Sequence, residues 1–439
     1  MQDRNNSVQT SLQAIANKAK SQKDYRFRNL FGMLNEEMLS DSWRYIRKDA
    51  AFGVDRVSAQ EYERNLGENI RQLVEELKGK CYRAKLVRRR YIPKGEGKFR
   101  PLGIPAVQDK LLQLVVKRIL EAIYEQDFLR CSYGYRPSIG PLDAVDKLTI
   151  KLQFGKYNYV AEADIKGFFD NINHEWMLKM LAERVDDKAL LWLIRKWLKA
   201  GILEEDGQVI HPVTGTPQGG IVSPILANIY LHYALDLWFE KVVKPHCHGE
   251  ACLIRFADDF VCAFEHQEDA ERFYDALGKR LEKFGLELSG EKTRVIPFSK
   301  EIMPGKTSFD FLGFEFRWGK DLAGKPHVKR RTSRKKLRAS LKRFNQWCKE
   351  NKYHRLKVLF YRLNAKLRGY YNYYGVHGNS ISLNQFYNRA LWLLWRQLNQ
   401  RSQRKSYNWK GFNELVEQFQ IERPRIVRRP RTSGEPSAA

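Results

Sequence analysis

Apolar residues recur at helical spacing in several stretches. Over 25–55, Phe27, Leu30, Phe31, Leu34, Met38 and Leu39 fit one side of helical turns, and Gly53-Val54-Asp55 reads as the closing turn. Over 58–80, Tyr62, Leu66, Ile70, Leu73, Val74 and Leu77 share a face. Two short extended stretches, 86–93 and 98–104, flank Lys94-Gly95-Glu96-Gly97, a hairpin signal. Residues 108–128 predict a strong amphipathic helix, 157–165 an alternating strand, and 223–243 another long helix. Residues 252–264 run apolar, Asp-Asp, apolar, which predicts a hairpin with an acidic turn. Residues 309–318 alternate aromatics on one face, as a half-buried strand does. Beyond them 337–419 reads as all-helical and rich in Trp and Tyr. The first 24 residues and the end from 421 to 439 are polar and predict loose segments. The order of elements predicts an α+β region followed by an all-α region.

The chain has 439 residues, enough for two or three cores. No apolar run reaches the length of a bilayer crossing, and the first thirty residues lack an apolar signal core. A cytoplasmic protein without membrane partners is therefore expected. The six cysteines form no CxxC pair. His246, Cys247, His248 and Cys252 cluster, but a second ligand group for zinc is missing, so reduced thiols are the simpler expectation.

Charge sharpens the picture. Of a net +27, residues 317–439 carry +24, from 30 Lys/Arg and 6 Asp/Glu. Residues 325–343 hold ten basic side chains and no acidic one. Such a run asks for a polyanionic partner, usually nucleic acid. An anionic membrane would attract it too, but no amphipathic anchor or lipid signal accompanies it.

Carboxylates carry the candidate chemistry. Leu253-Ile254-Arg255-Phe256-Ala257-Asp258-Asp259-Phe260-Val261 sets two acids between apolar strands. Burying them together costs free energy unless a cation compensates. Alone, the pair fits a solvated turn equally well. A second acid, Asp164, ends the apolar strand Tyr159-Val160-Ala161-Glu162-Ala163-Asp164-Ile165. Carboxylates distant in sequence but similarly placed suit a two-Mg²⁺ site, whose metals clamp the attacking and leaving oxygens of a phosphoryl transfer. Asp170, before Ile172, fits a helix cap as readily. Gly215-Thr216-Pro217-Gln218-Gly219-Gly220-Ile221-Val222-Ser223-Pro224 reads as a tight loop entering a helix with Ser223 as cap, or as a backbone platform for a base pair. The basic hairpin from Tyr91 to Pro105 offers cations suited to a triphosphate, though such ribbons are commonly just solvated surface.

Taken in order, these segments resemble the reverse transcriptases encoded by bacterial group II introns, the intron maturases. The resemblance rests on Ile92-Pro93-Lys94 with Arg100-Pro101-Leu102-Gly103-Ile104-Pro105, on Asp164-Ile165-Lys166-Gly167-Phe168-Phe169-Asp170, on the Pro-Gln-Gly-Gly loop, and on Phe256-Ala257-Asp258-Asp259. It continues through Gly285-Leu286-Glu287-Leu288-Ser289 with Lys292-Thr293 and through Phe311-Leu312-Gly313-Phe314, covering roughly 25–419. The family's usual Tyr-Ala-Asp-Asp has Phe256 here, a lost hydroxyl that shifts primer contacts and leaves the metal site intact.

The resemblance implies a right-hand polymerase: fingers and palm over 25–316, with an N-terminal extension at 25–56, a basic linker at 317–336, and a helical thumb, the maturase domain X, at 337–420. It implies that Asp164, Asp258, Asp259 and the Ile165 backbone carbonyl hold two Mg²⁺, with Mn²⁺ as a substitute. It implies that Lys94, Arg100 and Lys292 grip the dNTP triphosphate, that Phe169 rejects a 2′-hydroxyl, that Gln218 contacts the incoming nucleotide, and that Ala257 sits near the primer end. Lys329, Arg330, Arg331, Arg334, Lys335, Lys336, Arg362, Lys366 and Arg368 become the expected RNA contacts, while more than half of the thumb aromatics, Trp392 and Trp395 among them, are expected in its core. The chain lacks the Cys/His-rich nuclease with which many members end, which suggests a short, class C-like member, monomeric or homodimeric. The implied reaction copies an RNA template from a DNA or RNA primer with dNTPs, beside binding of group II intron RNA. Two rivals stand next to it: a splicing maturase with secondary polymerase activity, and a host-adopted enzyme of defence or repair.

Overall fold

The computed structural model describes residues 2–95, 98–290, 294–301, 307–401 and 406–427. The chain forms two compact units, Met1–Lys147 with Tyr159–Val295, and Leu148–Asn158 with Ile296–Ala439. The expected boundary at 316 therefore moves to 295, and a short segment before the first acidic strand joins the second unit.

The first unit is built on an antiparallel sheet in which Ala251–Phe256, Asp259–Phe264 and Tyr159–Asp164 are neighbours in that order. Val160, Ala161 and Ala163, with Phe260, Val261, Cys262, Ala263 and Phe264, are buried, so this sheet is covered on both faces. Helix Val107–Tyr124 runs through the core, with Leu111, Leu112, Val115, Ile119 and Ile123 wholly buried. Each such side chain contributes about 1.5–3 kcal/mol by leaving water. A second sheet has the order Lys98–Ile104, Val87–Gly95, Ile202–Leu203, Val209–Ile210. Side-chain caps start the surrounding helices: Asp187 accepts from the Ala189 and Leu190 amides ahead of Lys188–Leu198, and Asn173 from the Trp176 amide ahead of His174–Ala182.

Three expectations change in this unit. Residues 1–24 are not loose: Gln2–Ser21 is a helix whose Val8 and Ala19 join the core, and the Arg184 guanidinium donates to the carbonyls of Ala19 and Gln22 at 3.1 and 3.0 Å. Leu12 and Ile15 pack against that core between them, so a narrow apolar stripe at positions 8, 12, 15 and 19 anchors an otherwise polar helix. The 58–80 stretch breaks at Asn65 into Ala59–Arg64 and Leu66–Lys78. The long helix at 223–243 is α-helical only over Ser223–Leu231, then widens into π turns at His232–Asp236 and Phe239–Val243.

The second unit has a three-stranded sheet, Pro326–Thr332, Phe314–Lys320, Phe309–Phe311, and four helices, Arg334–Asn351, Leu356–Tyr374, Ser380–Leu398 and Trp409–Gln418. The single strand expected over 309–318 is a hairpin, because Leu312 and Gly313 both take left-handed backbone and Phe311 pairs with Phe314. The basic segment at 317–336 is not a linker. It forms a strand, a turn and a second strand, and Ser333 then caps the first helix by accepting from the Lys336 amide. Phe344, Phe360, Tyr371, Phe386 and Phe412 fill the helical core, whereas Trp392 and Trp395 are half-buried against it. The end expected to be loose lies outside the described residues from 428 onward.

Candidate active site

The two acidic segments meet at the end of the first sheet. Tyr159–Asp164 and Asp259–Phe264 pair antiparallel with Asp164 opposite Asp259. Directly opposed residues place their side chains on one face with Cβ atoms about 5 Å apart. Asp258 belongs to the two-residue turn, since Phe256 pairs with Asp259. Ala257 takes φ +59°, a left-handed conformation that a β-carbon disfavours. Tight packing holds it there: a β-carbon on Gly134 would lie 2.2 Å from the Ala257 nitrogen.

Electrostatics at this end favour a cation. Burial pushes the Asp258 carboxyl above its ordinary range, and the Asp164 charge pushes it the same way. Arg100 and Lys94 pull it down, so the two hairpin cations expected at the triphosphate lie within electrostatic reach of the carboxylates. The carboxylate oxygens are hard donors, and among the described residues no group of three or more His, Cys, Asp or Glu side chains could hold a metal ion. Hard oxygen donors of this kind are the type that divalent cations take. The Asp164 carbonyl accepts from the Ser289 amide at 2.8 Å, and Ile165 bridges Leu288. The 285–289 motif thus braces the strand end. Lys292 lies outside the described residues.

The Pro-Gln-Gly-Gly loop is fixed on two sides. The Gly103 amide donates to the Gln218 carbonyl at 2.6 Å, and a β-carbon on Gly219 would meet the Gly103 oxygen at 2.6 Å. On the other side, the Thr216 amide donates to the Phe169 carbonyl at 2.8 Å. Ser223 is not a cap: its hydroxyl bonds Thr216 at 2.8 Å and donates to the Pro217 carbonyl at 3.0 Å, tying the loop to its own helix. Asp170 is not a cap either. It lies inside the one-turn helix Phe168–Asn171, begun by left-handed Gly167, and accepts from the Gln218 amide nitrogen at 3.5 Å.

Sequence reasoning missed Tyr135. Its ring packs edge-on against Phe169 at 6.4 Å between centroids, its φ is +57°, and burial and then the Asp258 charge push its hydroxyl up. The signal was present in Tyr133-Gly134-Tyr135-Arg136-Pro137, a glycine between aromatics, but only the fold brings it to the acidic turn.

The expected RNA contacts divide. Arg331 pairs with Glu315 at 2.6 Å, Arg368 with Glu422 at 3.0 Å, Arg362 donates to Asn351 and His354, Arg330 donates to Thr149, and Lys366 lies over the Trp347 ring. These side chains have partners within their own unit. At the Cys/His cluster, Cys247 donates to the Val243 carbonyl and His248 lies 3.3 Å from Asp269.

Among the described residues no helix is long and apolar enough to cross a membrane. The family model for reverse transcriptase (RNA-dependent DNA polymerase) matches residues 92–316. The chain is 31% identical to group II intron-encoded protein LtrA of Lactococcus lactis subsp. cremoris, covering 73% of this chain and 65% of that protein. It is 36% identical to protein YkfC of Escherichia coli (strain K12), over 48% of this chain and 62% of that one. A shorter match, 26% identical over 33% of this chain and 18% of its partner, is to nuclear intron maturase 4, mitochondrial, of Arabidopsis thaliana. The chain thus spans less than two thirds of the length of these relatives. With its mixture of helices and antiparallel sheets, the chain belongs to the reverse transcriptase (RNA-dependent DNA polymerase) family.

Proposed function

We propose that this chain is an RNA-directed DNA polymerase that also binds group II intron RNA and assists its splicing and mobility. The observation that carries the reading is the register of Asp164 on Asp259, with the half-buried Asp258 in the adjoining turn, where its carboxyl feels the charges of Asp164, Arg100 and Lys94. Asp164 and Asp258 are the principal ligands for two Mg²⁺, with Asp259 and the Ile165 carbonyl beside them. Bound there, Mg²⁺ supplies the charge stabilisation that nucleotidyl transfer from a dNTP to a primer 3′-hydroxyl requires. Lys94 and Arg100 hold the triphosphate. Phe169, packed edge-on against Tyr135, faces the sugar, and the loop at Pro217–Gly220, hydrogen-bonded on both sides, offers a backbone surface to the nascent base pair. Positioning of this kind supplies much of the rate.

The +24 charge of residues 317–439 supports RNA as template and as intron ligand, and with it a ribonucleoprotein or nucleoid setting in the cytoplasm. The same charge, and the intron-encoded and maturase names of the relatives, favour splicing assistance as a second role. Primer extension on an RNA template with dNTPs and Mg²⁺ tests the reading. Full-length DNA from the wild type and none from Asp258→Ala/Asp259→Ala, with unchanged RNA binding, is the expected result. No product from either, with tight salt-sensitive binding to structured RNA, would replace it by the splicing role alone.

A further inference from the structure

Beneath the acidic turn lies a group that nothing above uses. Arg255, in the strand leading to the turn, is wholly buried. Its guanidinium binds the equally buried Asp236 through two bonds, Nε to Oδ1 at 2.7 Å and Nη2 to Oδ2 at 2.5 Å. Nη2 also donates to the Ser132 hydroxyl at 2.8 Å. Nη1 donates to Asn228 at 3.2 Å and to the carbonyl of Ala257 at 3.0 Å. That last bond reaches the turn itself, at the residue held in left-handed backbone.

A fork of donors fixed in a plane orients its acceptors rather than merely neutralising them. Each acceptor here comes from a different segment. Asp236 sits in the π turn His232–Asp236, a widening that is rare in helices and frequent at functional sites. Asn228 comes from the preceding helix and its amide also donates to the Gly134 carbonyl at 2.6 Å. Backbone bonds from the Tyr133 amide to the Arg255 carbonyl and from the Arg255 amide to the Cys131 carbonyl, both 2.8 Å, close the ring. An apolar pair of the same volume would fill the space with no desolvation cost, so stability alone does not call for a buried ion pair.

We infer that the Arg255–Asp236 pair positions the Ala257–Asp258 turn, and through it the carboxylate that binds the metal. Arg255 is a positioning residue and touches neither metal nor nucleotide. The inference rests on the polymerase reading and deepens it: metal affinity is set from beneath the sheet end as well as by the carboxylates. Partners that orient metal ligands are each worth about 10- to 100-fold in affinity or activity.

The test uses the full chain with Arg255→Lys, which keeps the charge and loses the fork, and Ser132→Ala, which removes one acceptor and keeps the ion pair. Mn²⁺ binding is followed by electron paramagnetic resonance, and primer extension is titrated with Mg²⁺. Arg255→Lys should bind Mn²⁺ about 10- to 100-fold more weakly and need correspondingly more Mg²⁺, recovering rate at high Mg²⁺. Its KM for dNTP and its affinity for primer–template should stay within about twofold, a split that general loosening of the fold would not give. Ser132→Ala should shift in the same direction by about fivefold, the worth of one hydrogen bond. It decides the matter if Arg255→Lys does not fold. Wild-type Mn²⁺ affinity and Mg²⁺ requirement in the folded variants would overturn the inference while leaving the polymerase intact. A wild type that neither makes DNA nor holds Mn²⁺ would overturn both.

Discussion

Gly134 gives a sharp test of how the acidic turn is held. In Gly134→Ala the new methyl would stand 2.2 Å from the Ala257 nitrogen and 2.9 Å from both the Ala257 Cα and the Phe256 carbonyl carbon. Ordinary contact begins at 3.4 Å, so the shortfall at the nitrogen is about 1.2 Å. All three neighbours are backbone, and no side-chain rotation relieves the overlap. Segment 131–135 is tied to the Arg255 backbone on both sides, so it cannot retreat alone. The turn carrying Asp258 must therefore move by about 1 Å. Overpacking of this kind costs about 1–3 kcal/mol, which for a unit of this size lowers Tm by roughly 2–10 °C. A displacement of about 1 Å in a catalytic group costs on the order of 100-fold in rate. Gly134→Ala should therefore remain folded and bind RNA normally while single-turnover primer extension falls about 100-fold. Wild-type extension rates in a folded variant would show that this contact does not position the turn. Loss of RNA binding in step with activity would show that the damage is global.

Other consequences follow from separate parts of the molecule. Burial raises the carboxyl of Asp109 to about 6, against Tyr82 and the Lys85 amide that it accepts from. A raised carboxyl favours the folded state fully below the unfolded value near 4 and loses that advantage as pH climbs through about 6. About two units correspond to roughly 3 kcal/mol, so thermal melts of the wild type should fall between pH 4 and 6.5 by more than those of Asp109→Asn; parallel curves would refute the assignment. Phe169→Val should raise ribonucleotide incorporation relative to dNTPs by at least about tenfold in kcat/KM, since the ring braced by Tyr135 no longer crowds the sugar; an unchanged ratio would remove Phe169 from the sugar site. Lys329→Gln/Arg334→Gln/Lys336→Gln should reduce the slope of log Kd against log salt for RNA by about 2–3, and an unchanged slope would place the phosphate contacts elsewhere.

The sequence alone determined what local chemistry specifies. The alternation over 157–165 and the apolar, Asp-Asp, apolar run over 252–264 marked the paired strands, and the order of short motifs marked the family, because each motif is a contiguous backbone shape built by neighbouring residues. The acidic residues were legible for the same reason: carboxylates inside apolar strands are costly and therefore conspicuous. The tertiary structure decided what depends on partners far along the chain. Arg255 looks like any strand cation until Asp236, 19 residues back, and Ser132, 123 back, close around it. Tyr135 joins the site only because segment 131–135 bonds to the strand before the turn. The basic segment at 317–336 read as a linker because its many cations hide the pairing of Phe314–Lys320 with Pro326–Thr332. Pairing and burial energies belong to contacts, and a contact between distant residues has no signature in the spacing of either one.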